Sequence, residues 1–98
     1  MDYANLRKMP NLLRKYRKVR GLKEKDVARM LNLKSASRIS RWEKGICLPS
    51  LANAFRLAAL YRVMVDALFT DMSDSLKEEI HKSEEELLSR KNHPNKHG

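Results

Sequence analysis

Two short helical segments joined by a turn of a few residues constrain the fold of this chain more than any other feature. The first segment follows Leu22 and ends near Asn32, a residue type that tolerates the left-handed conformation of a helix C-cap. The second is predicted over residues 36–44, with Ser35 as its N-cap and Gly45 as its stop. The sequence therefore predicts a pair of short helices with a tight turn between them.

The second of these helices has one apolar side and one polar side. Ile39 and Trp42 lie three residues apart and are expected to face the core. The other side chains are polar or small, and they include Arg38 and Arg41. A helix this short buries little surface, so its polar side is available for contact with a partner.

The remaining pattern predicts an all-α fold. A first helix is expected over residues 10–19, because proline favours the first position of a helix and Gly21 stops it. Further helices are expected over residues 50–61, over residues 63–69, and from residue 73 or 75 to about 90. The fourth helix is expected to supply the main core stripe, formed by Leu51, Ala54, Phe55 and Ala58.

The net charge of +9 is spread unevenly along the chain. Residues 1–70 hold 16 Lys and Arg against 5 Asp and Glu, whereas residues 71–98 hold 5 against 7. A positive field of this kind attracts nucleic acid phosphates or anionic lipids, although a solvated basic surface has the same composition. We divide the chain into an N-terminal arm over 1–9, a basic helical domain over 10–70, an acidic helix over 71–91 and a disordered tail over 92–98.

The chain has no long apolar segment and few residues suited to catalysis or metal binding. Its longest apolar run, Leu57–Tyr61, is far below the roughly 20 residues of a membrane-spanning helix, and residues 1–10 contain no signal-peptide core. Cys47 has neither a disulfide partner nor a Cys or His at a zinc spacing. No nucleophile or metal-ligand set surrounds the histidines, which are His81, His93 and His97. We expect a cytoplasmic protein with no metal, cofactor or small-molecule ligand, no membrane contact and no enzymatic activity.

A longer pattern extends over roughly residues 11–70. Its most specific piece is the run Ile39-Ser40-Arg41-Trp42-Glu43-Lys44-Gly45. The rest of the pattern consists of Leu13-Arg14, Arg17, Gly21-Leu22, Ala28, Leu31, Ser35, Pro49-Ser50, Leu57-Ala58, Val63 and Leu68-Phe69. This pattern resembles the Cro and phage-repressor family of helix-turn-helix domains. The resemblance implies a five-helix lambda-repressor-like domain whose third helix lies in the major groove of double-stranded DNA, here followed by an extra C-terminal amphipathic helix.

The resemblance assigns base-reading positions to the third helix. They are Ala36, Ser37 and Arg41, with Arg38 beside them. An arginine can bind guanine O6 and N7 with two hydrogen bonds, the commonest specific contact, whereas alanine offers only an apolar contact, for example to a thymine methyl. The alternative is that Arg38 and Arg41 contact phosphate only.

Contacts to the DNA backbone are expected where helix ends bring N–H groups and basic side chains towards phosphates. The residues in those places are Lys23, Lys25, Lys34, Ser35, Lys44 and Ser50. Each of them taken singly could equally be an ordinary solvated or capping residue. The resemblance also implies a structural ion pair between Arg17 of the first helix and Glu43 of the third.

The chain departs from the family pattern at three places. Lys23 and Glu24 stand where the family has Ser or Thr followed by Gln, so the phosphate contact of that glutamine side chain is not expected from Glu24. Lys34 is one residue more than the usual turn contains, and the positions assigned to the third helix depend on this insertion. Arg62 stands where Gly or Asn often ends the fourth helix, so a different helix end is expected.

The C-terminal helix carries an apolar stripe formed by Met72, Leu76, Ile80 and Leu87. It is expected to pack back on the domain, to form a homodimer, as is common in a family that binds half-sites about 34 Å apart, or to be a solvated extension. The predicted function is sequence-specific binding of double-stranded DNA by a transcriptional regulator, a repressor, located on the nucleoid. The alternatives are an antitoxin or controller protein for a neighbouring gene, and a protein-interaction adaptor, which Glu24 favours.

Overall fold

The computed structural model describes residues 10–91, which form six helices and no strand. The helices are α1 (Leu13–Val19), α2 (Glu24–Met30), α3 (Ser37–Glu43), α4 (Leu51–Tyr61), α5 (Val65–Leu68) and α6 (Thr70–Lys91). The prediction of an all-α fold with five helices and a C-terminal helix is therefore confirmed. The arm and the tail predicted at residues 1–9 and 92–98 lie outside the described residues.

One apolar core holds α1 to α5 together. Each of these helices contributes one side chain that is at most 2% exposed, and these are Leu13, Val27, Ile39, Leu57 and Leu68. Ile39 and Trp42 of α3 both belong to the core, as their spacing predicts. Since burial of one such side chain contributes about 1.5–3 kcal/mol, the core fixes the orientation of α3 and leaves its opposite face outside.

Three predicted helix ends are confirmed by the backbone conformation. Gly21, Asn32 and Gly45 follow α1, α2 and α3 with positive φ angles of 70°, 59° and 75°. Ser50 caps α4, because its hydroxyl accepts a hydrogen bond from the N–H of Asn53 at 3.1 Å. Glycine, asparagine and serine therefore set the lengths of the helices as the sequence indicates.

The start of α1 differs from the prediction. The helix begins at Leu13 instead of Pro10. The Leu13 N–H donates to the side-chain oxygen of Asn11 at 3.0 Å, and the Leu12 N–H donates to the carbonyl of Leu68 at 2.9 Å. The segment before Leu13 is thus held against the end of α5 by a long-range backbone contact that a local sequence pattern does not contain.

The start of α3 also differs. The helix begins at Ser37, with Ala36 at its N-cap position and no side-chain cap. The hydroxyl of Ser35 forms a hydrogen bond with the hydroxyl of Ser37 at 2.8 Å, so it is not bonded to a backbone N–H of the helix. The prediction that Ser35 caps α3 is therefore wrong.

The inward stripe of α4 is rotated by roughly 60° from the prediction, at about 100° per residue. Leu51 and Phe55 are 75% and 59% exposed. The residues that α4 buries are Ala54, Leu57, Ala58 and Tyr61. Ala54 and Ala58 belong to both the predicted and the observed stripe. The observed stripe faces inward because the larger Leu57 and Tyr61 pack in the core.

Arg62 ends α4 in the left-handed conformation, with φ 60° and ψ 45°. The N–H of the next residue, Val63, donates to the carbonyl of Ala58 at 3.0 Å, which is the helix end that glycine normally makes. The expectation of a different end is therefore wrong. Arginine adopts the glycine conformation here, at a cost of about 1–2 kcal/mol.

The C-terminal helix α6 extends away from the core. It contains 22 residues, none of them buried, and is about 33 Å long. It begins at Thr70, before the predicted start at residue 73 or 75, and Phe69 alone separates it from α5. An ion pair between Lys77 and Asp66 at 3.4 Å joins the two helices. Within residues 10–91, no helix combines the length and apolarity that crossing a membrane requires.

Candidate nucleic-acid interface

The outer face of α3 lies beside the start of α4. Ser37, Arg38 and Arg41 are exposed on this face. They line a depression of about 440 Å³ together with Ser50, which caps α4. Four of the residues predicted to bind DNA are therefore neighbours in space. The other residues that line this depression are Trp42, Cys47, Leu48 and Asn53.

A second depression, of about 300 Å³, lies at the turn between α2 and α3. Four more of the predicted residues line it, namely Lys25, Lys34, Ser35 and Ala36. Ala36 is half-buried, and the other three are exposed. Arg29 also lines this depression and was not identified from the sequence. It follows Lys25 by one helical turn, so a search for basic residues at that spacing would have found it.

A third depression, of about 410 Å³, lies between α1, α2 and α3. Lys23 and Lys44, the remaining two predicted residues, line it together with Arg14 and Ser40. Arg14 is an exposed residue of α1 that the sequence analysis did not assign to the interface. In the sequence, Arg14 is marked only by its position one helical turn before Arg17. The packing of α1 against α3 is what shows that Arg14 lines the third depression.

Arg17 and Glu43 form an ion pair at the base of this third depression. The Arg17 Nε lies 2.6 Å from Glu43 Oε2, and a second guanidinium nitrogen lies 3.1 Å from Oε1. The other terminal nitrogen of Arg17 donates to the carbonyl of Leu22 at 2.9 Å. The hydrogen bond to Glu43 raises the pKa of Arg17 against the opposing effect of burial. The pair joins α1 to the last turn of α3.

A family model described as helix-turn-helix matches residues 13–68, which is more than half of the chain. The chain belongs to the helix-turn-helix family of the Cro and phage-repressor type. The matched segment runs from the first residue of α1 to the last residue of α5, and α6 follows it. Comparison with curated proteins and with solved structures gave no significant match.

Family membership supports DNA binding and a part in the regulation of transcription. In this helix-turn-helix protein, α2 and α3 are the two helices of the motif, and the three depressions surround α3. The buried side of α3 fixes the motif against the core. Its exposed side carries the arginines.

Glu24 gives this helix-turn-helix protein an acidic residue inside an otherwise basic surface. Burial, hydrogen bonding with the Glu43 carboxyl group and the charge of Glu43 raise the pKa of Glu24, whereas Arg17 and Lys44 lower it. Tyr61 of the core lies near the same group of side chains, and burial raises its pKa to about 12. The Tyr61 hydroxyl is buried without a hydrogen-bond partner among residues 10–91. Glu24 is thus the carboxyl group that lines the third depression and has its pKa raised.

Proposed function

We propose that this helix-turn-helix protein binds double-stranded DNA at specific sequences and represses transcription, with α3 in the major groove. The observation that carries the proposal is the division of α3 into two faces. Ile39 and Trp42 are fixed in the core, while Ser37, Arg38 and Arg41 are exposed beside α4. A short helix held in this way can enter a groove about 12 Å wide without disturbing the core.

Arg41 is the proposed base-reading residue. It is exposed at the centre of the outer face, one turn after Ser37 and three residues after Arg38. A guanidinium there can donate two hydrogen bonds to guanine O6 and N7, which contribute about 1–3 kcal/mol of discrimination. Ser37 and Ala36 supply a hydroxyl and a methyl group at the start of the helix, and Arg38 is proposed to bind an adjacent phosphate.

The other basic residues around α3 are proposed to bind the DNA backbone. Most of them line the two depressions at the ends of the helix, and Ser50 lines the depression beside α4, so they can contact phosphates around the groove that α3 enters. The proposed contacts are Lys23, Lys25, Lys34, Ser35, Lys44 and Ser50, to which the structure adds Arg14 and Arg29. Such contacts determine orientation and affinity but carry no sequence information.

A titration of random duplexes over a salt series tests DNA binding. If about six phosphates are neutralised, affinity falls roughly 1,000-fold between 50 and 200 mM salt. Lys44→Gln is expected to reduce the slope of log affinity against log salt by about 1. Lys82→Gln removes an exposed lysine from α6 and is the matched control, with an unchanged slope. Absence of binding by the wild type at 50 mM salt would show that the protein is not a DNA-binding protein.

We also propose that the protein acts as a homodimer through α6. The side chains of Leu76, Ile80 and Leu87 are 42%, 62% and 51% exposed on this helix. Their stripe continues into a groove of about 460 Å³ at the corner between α5 and α6, where Val65 and Phe69 lie. Since a single helix without packing is only marginally stable in water, an identical helix related by a two-fold axis is the proposed partner.

Sedimentation equilibrium tests the dimer. The wild type is expected to sediment at twice the chain mass of 11.4 kDa, and Ile80→Glu at the chain mass, because a carboxylate at the centre of the stripe would be buried without a partner. Lys82→Glu introduces the same side chain outside the stripe and is expected to leave the dimer intact. Equal masses for the wild type and Ile80→Glu would exclude the stripe from the interface.

A further inference from the structure

We propose that Glu24 makes DNA binding by this protein pH-dependent, because its carboxylate opposes the phosphate in the third depression until it is protonated. The inference rests on the DNA binding proposed above and names a residue that determines affinity. It assigns to Glu24 an effect opposite to that of the basic residues around it.

The geometry leaves Glu24 as the carboxylate of the depression that forms no ion pair within residues 10–91. Both carboxylate oxygens of Glu43 accept hydrogen bonds from Arg17, at 2.6 and 3.1 Å. The remaining interaction of that guanidinium is with the Leu22 carbonyl. Within residues 10–91, no Lys or Arg nitrogen lies within 4.0 Å of a Glu24 carboxylate oxygen. Glu43 is therefore ion-paired with Arg17, whereas Glu24 has no basic nitrogen at ion-pair distance within residues 10–91.

Besides Arg17, which is paired with Glu43, three cations share the depression with Glu24, namely Arg14, Lys23 and Lys44. They come from α1, from the residue before α2 and from the residue after α3, so they converge on one volume of about 410 Å³. A phosphate bound by these three groups lies within one side-chain length of Glu24. At that range the repulsion between two unit charges near a protein surface changes affinity on the order of tenfold.

The direction of the pH effect follows from the surroundings of Glu24. The hydrogen bond to Glu43 raises the pKa of Arg17, which stays charged, and Tyr61, whose pKa burial raises to about 12, stays neutral over the pH range of the test. Burial and Glu43 already raise the pKa of Glu24 in the free protein, and a nearby phosphate raises it further. Binding therefore takes up a proton, so affinity rises as pH falls through these two pKa values and is constant above them.

The test compares the wild type with Glu24→Gln in titrations of one duplex at fixed salt from pH 5 to pH 8. Glutamine keeps the shape of the side chain and mimics its protonated form. We expect Glu24→Gln to bind about tenfold more tightly than the wild type at pH 8, and the difference between the two affinities to narrow as the pH falls. Glu85→Gln, on the exposed surface of α6, is the matched control and is expected to follow the wild type.

A second measurement separates charge from structure. Calorimetric titration in two buffers of different ionisation enthalpy should show net proton uptake by the wild type at intermediate pH and a smaller uptake by Glu24→Gln. Parallel affinity curves and equal proton uptake for the two proteins would overturn the role of Glu24 while leaving DNA binding intact. Absence of binding by both proteins at every pH would instead overturn the proposed function, and this inference with it.

Discussion

Glu43→Ala is expected to lower the free energy of unfolding by about 3–5 kcal/mol, the largest stability change we predict for any single substitution. The side chains of Arg17 and Glu43 are only 10% and 5% exposed. Removal of the carboxylate leaves the Arg17 guanidinium buried with one carbonyl as its remaining hydrogen-bond partner. For a domain of this size the loss corresponds to a fall in thermal midpoint of more than about 12 °C.

Thermal and urea unfolding followed by circular dichroism measure this loss. Glu85→Ala removes an exposed glutamate of α6 and is the matched control, with a midpoint within about 2 °C of the wild type. Should Glu43→Ala not fold, Glu43→Gln keeps the size of the side chain and is expected to lose less. The double variant Arg17→Met with Glu43→Leu should recover most of the stability, because it removes both charges. A midpoint for Glu43→Ala equal to that of the control would contradict a structural role for the pair.

Arg41→Ala is expected to weaken binding to the preferred DNA site by about 5- to 150-fold, corresponding to about 1–3 kcal/mol. It should also relax the preference at one or two base pairs. The preferred site is obtained first, by repeated selection of bound duplexes from a random pool with the wild type. Selection is then repeated with the variant, and the two sequence preferences are compared.

Arg38→Ala is the matched control for Arg41→Ala, since both residues are exposed arginines of α3. Because Arg38 is proposed to contact a phosphate, Arg38→Ala should weaken binding to all duplexes by a similar factor and reduce the salt slope by about 1. If Arg41→Ala has that same uniform effect, Arg41 is a phosphate contact and α3 does not read the sequence through it.

Local chemistry accounts for the part of the fold that the sequence predicts. Gly21 and Gly45 end helices because they adopt positive φ without strain, and Ile39 and Trp42 face the core because three residues bring them to one side of α3. Two of the errors have nonlocal causes. The rotated stripe of α4 depends on its packing, and the late start of α1 depends on a hydrogen bond to the carbonyl of Leu68.

The candidate site also contains residues that the sequence predicts and residues that only the tertiary structure shows. The residues on the turn and on α3 are close in sequence, so pattern and family resemblance together predict them. Arg14 and Arg29 belong to other helices and reach the interface only through the packing of α1 and α2 beside α3. The surroundings of Glu24 also depend on tertiary structure, because Arg17 and Glu43 come from two different helices.

Methylation interference on the selected site tests the central claim, recognition by α3 in the major groove, most directly. Dimethyl sulfate methylates guanine N7 in the major groove and adenine N3 in the minor groove. We predict that methylation of particular guanines blocks binding of the wild type, that methylated adenines do not, and that Arg41→Ala becomes insensitive at one of these guanines. Interference at adenine N3 alone, or none at any guanine, would contradict the account.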